Sequence, residues 1–271
     1  MRYARFLVDG KTHSGIIEGE TVFELKGGDV LGCAQAYDSI IDGNIIAKGD
    51  SSWPLNSVKL LAPVLPSKLV AMGLNYRAHA EEFGFVIPED PMVLLKPTTA
   101  IIGIGDEIVY PSHMSRRVDC EAELGIVISK RAKNLSIEDA KDYILGYTCV
   151  NDVTARDLQK SDGQFIRAKA FDTFAPIGPW IESDIDPENL SVESYVNGEL
   201  RQSGHSSDMA KNVFEVVSFV SKIMTLLPGD VIATGTPSGN GKMKPGDEVE
   251  IRIEGIGSLT NTVVANTFIE K

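Results

Sequence analysis

The sequence predicts a mostly β protein with a few helices, an α+β fold, and three observations carry that expectation. Short runs rich in β-branched and aromatic residues recur between turn signals: Asp9-Gly10, Asn197-Gly198, Pro228-Gly229-Asp230 and Pro245-Gly246-Asp247. Only two or three segments carry helical patterning. No repeat at solenoid spacing appears. With 271 residues, 43% of them hydrophobic, the chain can bury a sizeable core as one domain with a small appendage.

Residues 1–62 are expected to form a small N-terminal β-rich domain. Phe6-Leu7-Val8 runs into the Asp9-Gly10 turn, a short strand follows around Gly15-Ile16-Ile17, and Thr21-Val22-Phe23-Glu24-Leu25 supplies another. No cluster of catalytic residue types occurs there, and His13 is expected to be exposed in a turn. Leu61-Ala62-Pro63-Val64-Leu65-Pro66 is a proline-marked crossing into the main body, residues 63–271.

The body opens with a buried-strand pattern over 68–73. It breaks at Gly73-Leu74-Asn75-Tyr76 into a segment of helical composition, 77–83. There His79 and Glu82 are three apart, on one helical face. A carboxylate beside an imidazole raises its basicity, as a general base requires, but spacing alone leaves them a surface pair. A Gly- and Pro-containing loop over 84–91 precedes a strand ending at Lys96-Pro97. Further strands are expected at 100–103 and 108–111.

Val118-Asp119-Cys120-Glu121-Ala122-Glu123-Leu124-Gly125-Ile126-Val127-Ile128 reads as one strand entering a core. Alternation sets Asp119, Glu121 and Glu123 on one face and turns Cys120, Ala122 and Leu124 to the other. Same-face carboxylates repel. A divalent cation with oxygen ligands would relieve them, although for a bare Glu-x-Glu a solvated face is the better reading.

A capping-box-like Ser136-Ile137-Glu138-Asp139 starts a helix running to about Tyr143. Gly146 to Asp152 reads as a buried strand with its acid at the end. A helical turn after it would set Arg156 and Gln159 on the side facing Asp152. Lys169 lies among small and apolar neighbours. A hairpin over 194–202 has an Asn-Gly turn, and a helix with a core-facing stripe (Val213, Val216, Val217, Val220, Ile223, Met224) follows. Gly235 to Lys242 superficially suggests a phosphate loop but fails the pattern, with Thr236 in place of the first glycine and Met243 in place of Ser/Thr.

The net charge of −12 argues against nucleic acid or an anionic membrane surface as partner. It also means that an anionic substrate needs a local metal or Arg/Lys cluster. No apolar run reaches bilayer length. The N-terminus does not read as a signal peptide, and Cys33, Cys120 and Cys149 are neither paired nor in metal spacing, so a cytoplasmic location is expected.

Six motifs then fall in one order. They are Gly-Leu-Asn-Tyr-x-x-His-x-x-Glu at 73–82, Glu-x-Glu-Leu at 121–124 and Asn-Asp-x-Thr-Ala-Arg-Asp-x-Gln at 151–159. Lys-x-Phe-Asp-Thr at 169–173, Asn-Gly-Glu-x-x-Gln at 197–202 and Thr-Gly-Thr-Pro-x-Gly at 234–239 complete the series. Over roughly residues 65–265 the chain resembles the fumarylacetoacetate hydrolase family, of the smaller acylpyruvase and 2-hydroxyhepta-2,4-diene-1,7-dioate isomerase-like type.

The resemblance implies a body of rolled mixed β-sheets, commonly a homodimer. It implies Glu121, Glu123 and Asp152 as ligands of Mg²⁺ or Mn²⁺, with Ca²⁺ as a substitute in crystals. It further implies His79 and Glu82 as a catalytic dyad, Lys169 as a charge-stabilising catalytic lysine, and Arg156, Gln159 and Thr236 as residues contacting substrate or shaping its pocket. Ala78 stands where many relatives carry Asp. The implied activity is Mg²⁺-dependent cleavage of a C–C bond in a small-molecule 2-oxo (β-diketo) acid: hydrolysis of the acylpyruvate or fumarylacetoacetate type, or decarboxylation of oxaloacetate. A 2-hydroxy-dienedioate isomerase/decarboxylase of aromatic degradation would use the same site. A non-catalytic, ligand-binding relative would keep the fold and the metal.

Overall fold

A twelve-stranded mixed sheet runs through the molecule, and both its edge strands come from the first hundred residues. In order across the sheet lie Lys48–Pro54, Thr21–Leu25, Lys11–Glu18, Arg2–Val8, Ala175–Glu182, Ile144–Asn151, Ala122–Ile128, Val231–Ala233, Leu69–Gly73 and Met92–Lys96. Lys59–Leu60 pairs with Arg2–Val8, and Ile101–Ile102 with Ala175–Glu182. Most pairings are antiparallel, but Val231–Ala233 runs parallel to Leu69–Gly73. A five-stranded sheet contains the Asn197-Gly198 hairpin, whose two turn residues have φ of 53° and 76°, the left-handed values this turn requires. A three-stranded sheet joins Thr154–Ala155, Val118–Cys120 and Gly241–Met243. The fold is the expected mostly β one, with mixed sheets and few helices. This computed structural model describes residues 1–32, 48–82, 84–239 and 241–266, so Cys33, Phe83 and Asn240 lie outside the described residues.

The strands described between Arg2 and Leu60 continue the body's sheet through the pairing of Arg2–Val8 with Ala175–Glu182. Buried Arg5 adds a second tie. Its guanidinium donates to both Asp29 oxygens (2.8 and 2.7 Å) and to the carbonyl of Ala62 (3.0 Å) in the crossing segment. The expectation for His13 is corrected: it lies on the strand Lys11–Glu18, with Nδ1 2.7 Å from Glu24 and its ring stacked on Phe6. The hairpin turns the ring inward, onto an aromatic cluster that also includes Trp53.

Helices are short. Arg77–Glu82, Ile137–Ala140, Arg156–Asp162 and Ile166–Lys169 span at most two turns. Val213–Ile223 is the longest among the described residues, although valine is a mediocre helix former. Tertiary packing outweighs propensity there. Val213, Val216, Val217 and Val220 are buried, and an Asn212–Glu215 capping box satisfies the first amides. Ile223, counted in the buried stripe by periodicity, is half-exposed.

Candidate metal centre and active site

The acidic stretch expected to be one strand is two. Val118–Cys120 belongs to the three-stranded sheet and Ala122–Ile128 to the large one, and the chain breaks between them at Glu121. A matching break follows Asn151. Ala122 pairs with Asn151, and the Asp152 amide donates to the Glu121 carbonyl at 2.9 Å. The Asn151 side chain also accepts from the Glu121 amide at 3.1 Å. Two antiparallel strands therefore leave the sheet side by side, carrying Glu121 and Asp152 together, with Glu123 one step inside. Carboxylate oxygens of Glu121, Glu123 and Asp152 all lie within 4.8 Å of one another. The solvated-face reading is excluded, since the three residues are 3%, 2% and 1% exposed. Cys120 packs in the core, its sulfur against Gly241, where a Cβ would come within 2.4 Å. Burial pushes its thiol up to about 12.

Cations fill much of the space between the acids. The Lys169 ammonium donates to Glu121 Oε2 at 2.7 Å and makes a second, short contact with Asp152. Arg156 bonds Glu121 through Nη2, Asp119 Oδ2 through Nε (3.0 Å), and Gln159 Oε1 through Nη1 (2.7 Å). Burial acts to raise the Glu121 carboxyl, but Lys169 and Arg156 more than reverse it and hold the group well below the usual carboxylate range. Burial likewise works against the Lys169 charge, yet Asp152 and Glu121 keep its pKa above the ordinary value, so it stays protonated.

Glu123 is different. Among the described residues no cationic side chain pairs with it, and its hydrogen bond comes from the Gly235 amide at 2.8 Å. Burial, followed by the nearby Asp152 charge, pushes its carboxyl well above the usual range. The donor set is all carboxylate oxygen, buried, with one member lacking a positive partner. That fits a hard divalent cation, which would supply the missing charge.

Backbone geometry explains two of the glycine-bearing motifs. Gly235 has φ +97°, and a Cβ there would meet the Asn75 Cβ at 2.9 Å, so only glycine presents its amide to Glu123 in this way. Leu74, at φ 56°, takes a conformation that is costly for a branched residue, and it lines the cavity over the acids. Strain of this kind persists where surrounding contacts over-determine it. Asn75 supplies them, bonding the carbonyls of Lys211 (3.0 Å) and Thr234 (2.8 Å) and the amide of Lys211 (2.9 Å).

His79, Arg156, Gln159, Lys169 and Thr236 line one cavity with Glu121 and Glu123. His79 is buried on the short helix Arg77–Glu82, and Glu82 Oε2 lies 3.8 Å from its Nδ1. That is within ion-pair reach but beyond a hydrogen bond. The same Glu82 oxygen accepts from the Gly239 amide at 2.8 Å. Burial pushes the imidazole below its ordinary value, and Arg156 and Lys169 add to this against Glu121 and Glu82, so the ring is neutral at pH 7.

Two family models match the chain. Residues 68–264 match the C-terminal domain of fumarylacetoacetate (FAA) hydrolase, and residues 1–63 match the Rv2993c-like N-terminal model. The chain belongs to the fumarylacetoacetate hydrolase family. Within the family it resembles the oxaloacetate tautomerase YisK of Bacillus subtilis, 46% identical over 229 residues that make up 79% of this chain and 76% of that one. The structure of a 5-carboxymethyl-2-hydroxymuconate delta-isomerase from Mycobacterium smegmatis superposes with a TM-score of 0.87 at 43% identity, covering 98% of this chain and 100% of that one. The maleylpyruvate hydrolase of Sphingobium sp. SYK-6, in complex with manganese(II) ion and pyruvate, gives a TM-score of 0.78 at 31% identity over 98% of this chain and 99% of that one. Relatives of this family are therefore enzymes of small-molecule chemistry, and at least one is seen with a divalent metal.

Two residues bonded around the acids carry no role in the sequence reading. Lys96 ends an apolar strand, is fully buried, and bonds Asp152 and the Val153 carbonyl (3.1 Å). A lysine closing an otherwise apolar run was the available signal. Gln202, present in the hairpin motif, accepts from the Ala122 amide and the Ser194 hydroxyl (both 2.9 Å). It donates to Thr236 Oγ1 (2.8 Å) and to the carbonyls of Pro237 (3.0 Å) and Gly239 (2.9 Å). It thus ties the break beside Glu121 to the loop that contacts Glu123 and Glu82. Gln202→Ala is expected to lower stability by about 2–4 kcal/mol, because it strands several buried groups at about 1–3 kcal/mol each. Denaturant unfolding measures this, and a loss under about 0.5 kcal/mol, within the range of an ordinary surface change, would contradict the positioning role.

Proposed function

We propose that this family member is a Mg²⁺- or Mn²⁺-dependent enzyme that moves a proton on a 2-oxo acid, interconverting keto and enol forms of an oxaloacetate-type substrate. The observation that carries this is the meeting, in one cavity, of a buried three-carboxylate site, a protonated lysine and a neutral histidine. Glu121, Glu123 and Asp152 would hold the metal, and bound there it supplies Lewis-acid stabilisation of the negative charge that develops on the 2-oxo group. Lys169 adds fixed positive charge at the same point, in a site where little water screens it. His79, held neutral, is the base that takes the proton from the carbon beside the carbonyl and returns it. Arg156, Gln159 and Thr236, the last held by Gln202, line the space the substrate would occupy.

Similarity leans toward proton transfer over bond cleavage: the relatives at 46% and 43% identity are named for tautomerisation and isomerisation, and relatives named as hydrolases stand at 37% and 31%. A second reading, hydrolysis or decarboxylation at the C–C bond of an acylpyruvate or oxaloacetate, is favoured by Glu82. It sits at the exposed side of His79, where the pair could activate water.

Proton NMR with Mg²⁺ and a panel of oxaloacetate, acetylpyruvate and fumarylacetoacetate separates the two. Keto–enol exchange of oxaloacetate is expected to accelerate, to fall back to the uncatalysed rate with EDTA, and to have its enzymatic part slowed by about 10²–10⁴-fold in His79→Ala. Release of acetate, fumarate or CO₂ at a rate matching or exceeding exchange would establish the second reading instead. Inertness toward all three substrates, with either metal, would refute both.

A further inference from the structure

We propose that Asp119 is a positioning residue for the metal centre: it holds the Arg156 guanidinium so that Glu121 keeps lone pairs for the cation. This rests on the metal-dependent reading and gives a role in it to a buried acid outside the triad. Periodicity groups Asp119 with Glu121 and Glu123, yet the convergent acids are Glu121, Glu123 and Asp152. Asp119 precedes the break at Glu121, on the central strand of the three-stranded sheet, where Thr154 and Lys242 pair with it from either side. Its side chain is fully buried, and two guanidinium groups take it up. Arg117 donates to Oδ1 through Nε and to Oδ2 through Nη2, at 3.2 Å each, and Arg156 donates to Oδ2 through Nε at 3.0 Å.

Arg156 is the link. A guanidinium is a planar fork with donors at fixed angles, and facing one carboxylate alone it favours a two-pronged grip. Here its nitrogens go to three different acceptors: Nε to Asp119, Nη1 to Gln159 Oε1 at 2.7 Å, and Nη2 to Glu121 Oε1. With two prongs committed elsewhere, Arg156 meets Glu121 with one. Lys169 donates to the other oxygen, Oε2. An ionised carboxylate has about four lone-pair positions, so these two donors leave Glu121 able to accept a metal ion as well. Release from Asp119 would let the guanidinium turn and close on Glu121, in competition with the cation.

The backbone keeps this arrangement in register. Val118 pairs with Ala155 and Asp119 with Thr154, and the Arg156 amide donates to the Arg117 carbonyl at 2.8 Å. Both ends of the Asp119–Arg156 pair are thereby fixed to the short strand that follows Asp152. The Thr154 hydroxyl closes the connection by donating to the Asp152 carbonyl at 2.9 Å. The Asp119 charge also offsets that of Arg156, so the triad meets less net positive charge.

Calorimetric titration with Mg²⁺ of the unaltered protein, Asp119→Asn, Arg156→Gln and the double variant tests this. Asp119→Asn is expected to weaken Mg²⁺ binding by about 10–100-fold, the effect of losing a residue that orients a ligand. In the Arg156→Gln background the same change should cost less than about two-fold, because the residue it acts through is gone. An equal loss in both backgrounds would mean that Asp119 acts by its charge alone, and would overturn the positioning role. So would unchanged Mg²⁺ affinity in Asp119→Asn alongside a lowered metal-free melting temperature, the pattern of a purely structural acid. Arg117→Gln leaves the Asp119–Arg156 contact in place and should bind Mg²⁺ within about two-fold of the unaltered protein. A loss there as large as that of Asp119→Asn would also overturn the proposal. Where Asp119→Asn does not fold, Gln159→Ala releases another prong from a half-buried position and should weaken Mg²⁺ binding in the same direction. Unchanged affinity in that variant would overturn the role of the tethers. Failure of the unaltered protein to take up either Mg²⁺ or Mn²⁺ would remove the metal-dependent reading and this inference with it.

Discussion

Glu123→Gln is expected to weaken Mg²⁺ binding by about 100-fold or more while leaving the metal-free protein as stable as before, within about 1 kcal/mol. A lost ligand should cost at least as much affinity as a lost supporting residue, which is worth about 10–100-fold. The unchanged stability follows from the electrostatics. Without a metal, burial and the neighbouring Asp152 charge keep Glu123 protonated well above the ordinary carboxyl range. A neutral amide of nearly the same shape then replaces a neutral acid, and its oxygen can still accept from the Gly235 amide. The measurement is the melting temperature with and without Mg²⁺: ligand binding to the native state raises it for the unaltered protein and not for the variant. A variant whose melting temperature still climbs with Mg²⁺ as the unaltered protein's does would remove Glu123 from the ligand set.

Lys169→Met is expected to produce the opposite pattern. Its ammonium lies between Glu121 and Asp152, all three side chains almost fully buried. Removing one partner from a buried ionic cluster leaves uncompensated charge and costs about 3–5 kcal/mol. Glu121 keeps Arg156 and Asp152 keeps Lys96, which sets the loss toward the lower end. Mg²⁺ should recover much of that stability, because a cation among the three acids replaces the missing charge. Turnover should not recover, since the charge opposite the developing oxyanion is gone, a change worth about 10²–10³ in rate. Denaturant unfolding with and without Mg²⁺, paired with the NMR exchange rate, reads both effects. Unchanged metal-free stability would mean that Lys169 does not hold the acids together.

Much of this architecture is legible locally. The Asn197-Gly198 turn and the strand ending at Lys96 follow from short-range preferences that the structure keeps, and the helix beginning at Val213 is legible from its apolar period although packing, not propensity, sustains it. Where the reading fails, long-range packing is the cause. His13 looks like a turn residue until the hairpin folds its ring onto Phe6 and Trp53. The run from Val118 to Ile128 looks like one strand because alternation continues across Glu121, and nothing local announces that it changes sheets there.

The sequence by itself determined the mostly β class, the family resemblance and the three acids as a candidate metal site, because those rest on residue identity and spacing. Only the tertiary structure decided that the acids are buried and convergent, through the pairing of Ala122 with Asn151 across almost thirty intervening residues. It alone showed that Lys96 and Gln202 serve the same site. Contacts between residues distant in the chain depend on sheet register and on charges brought together by folding, and local periodicity carries neither.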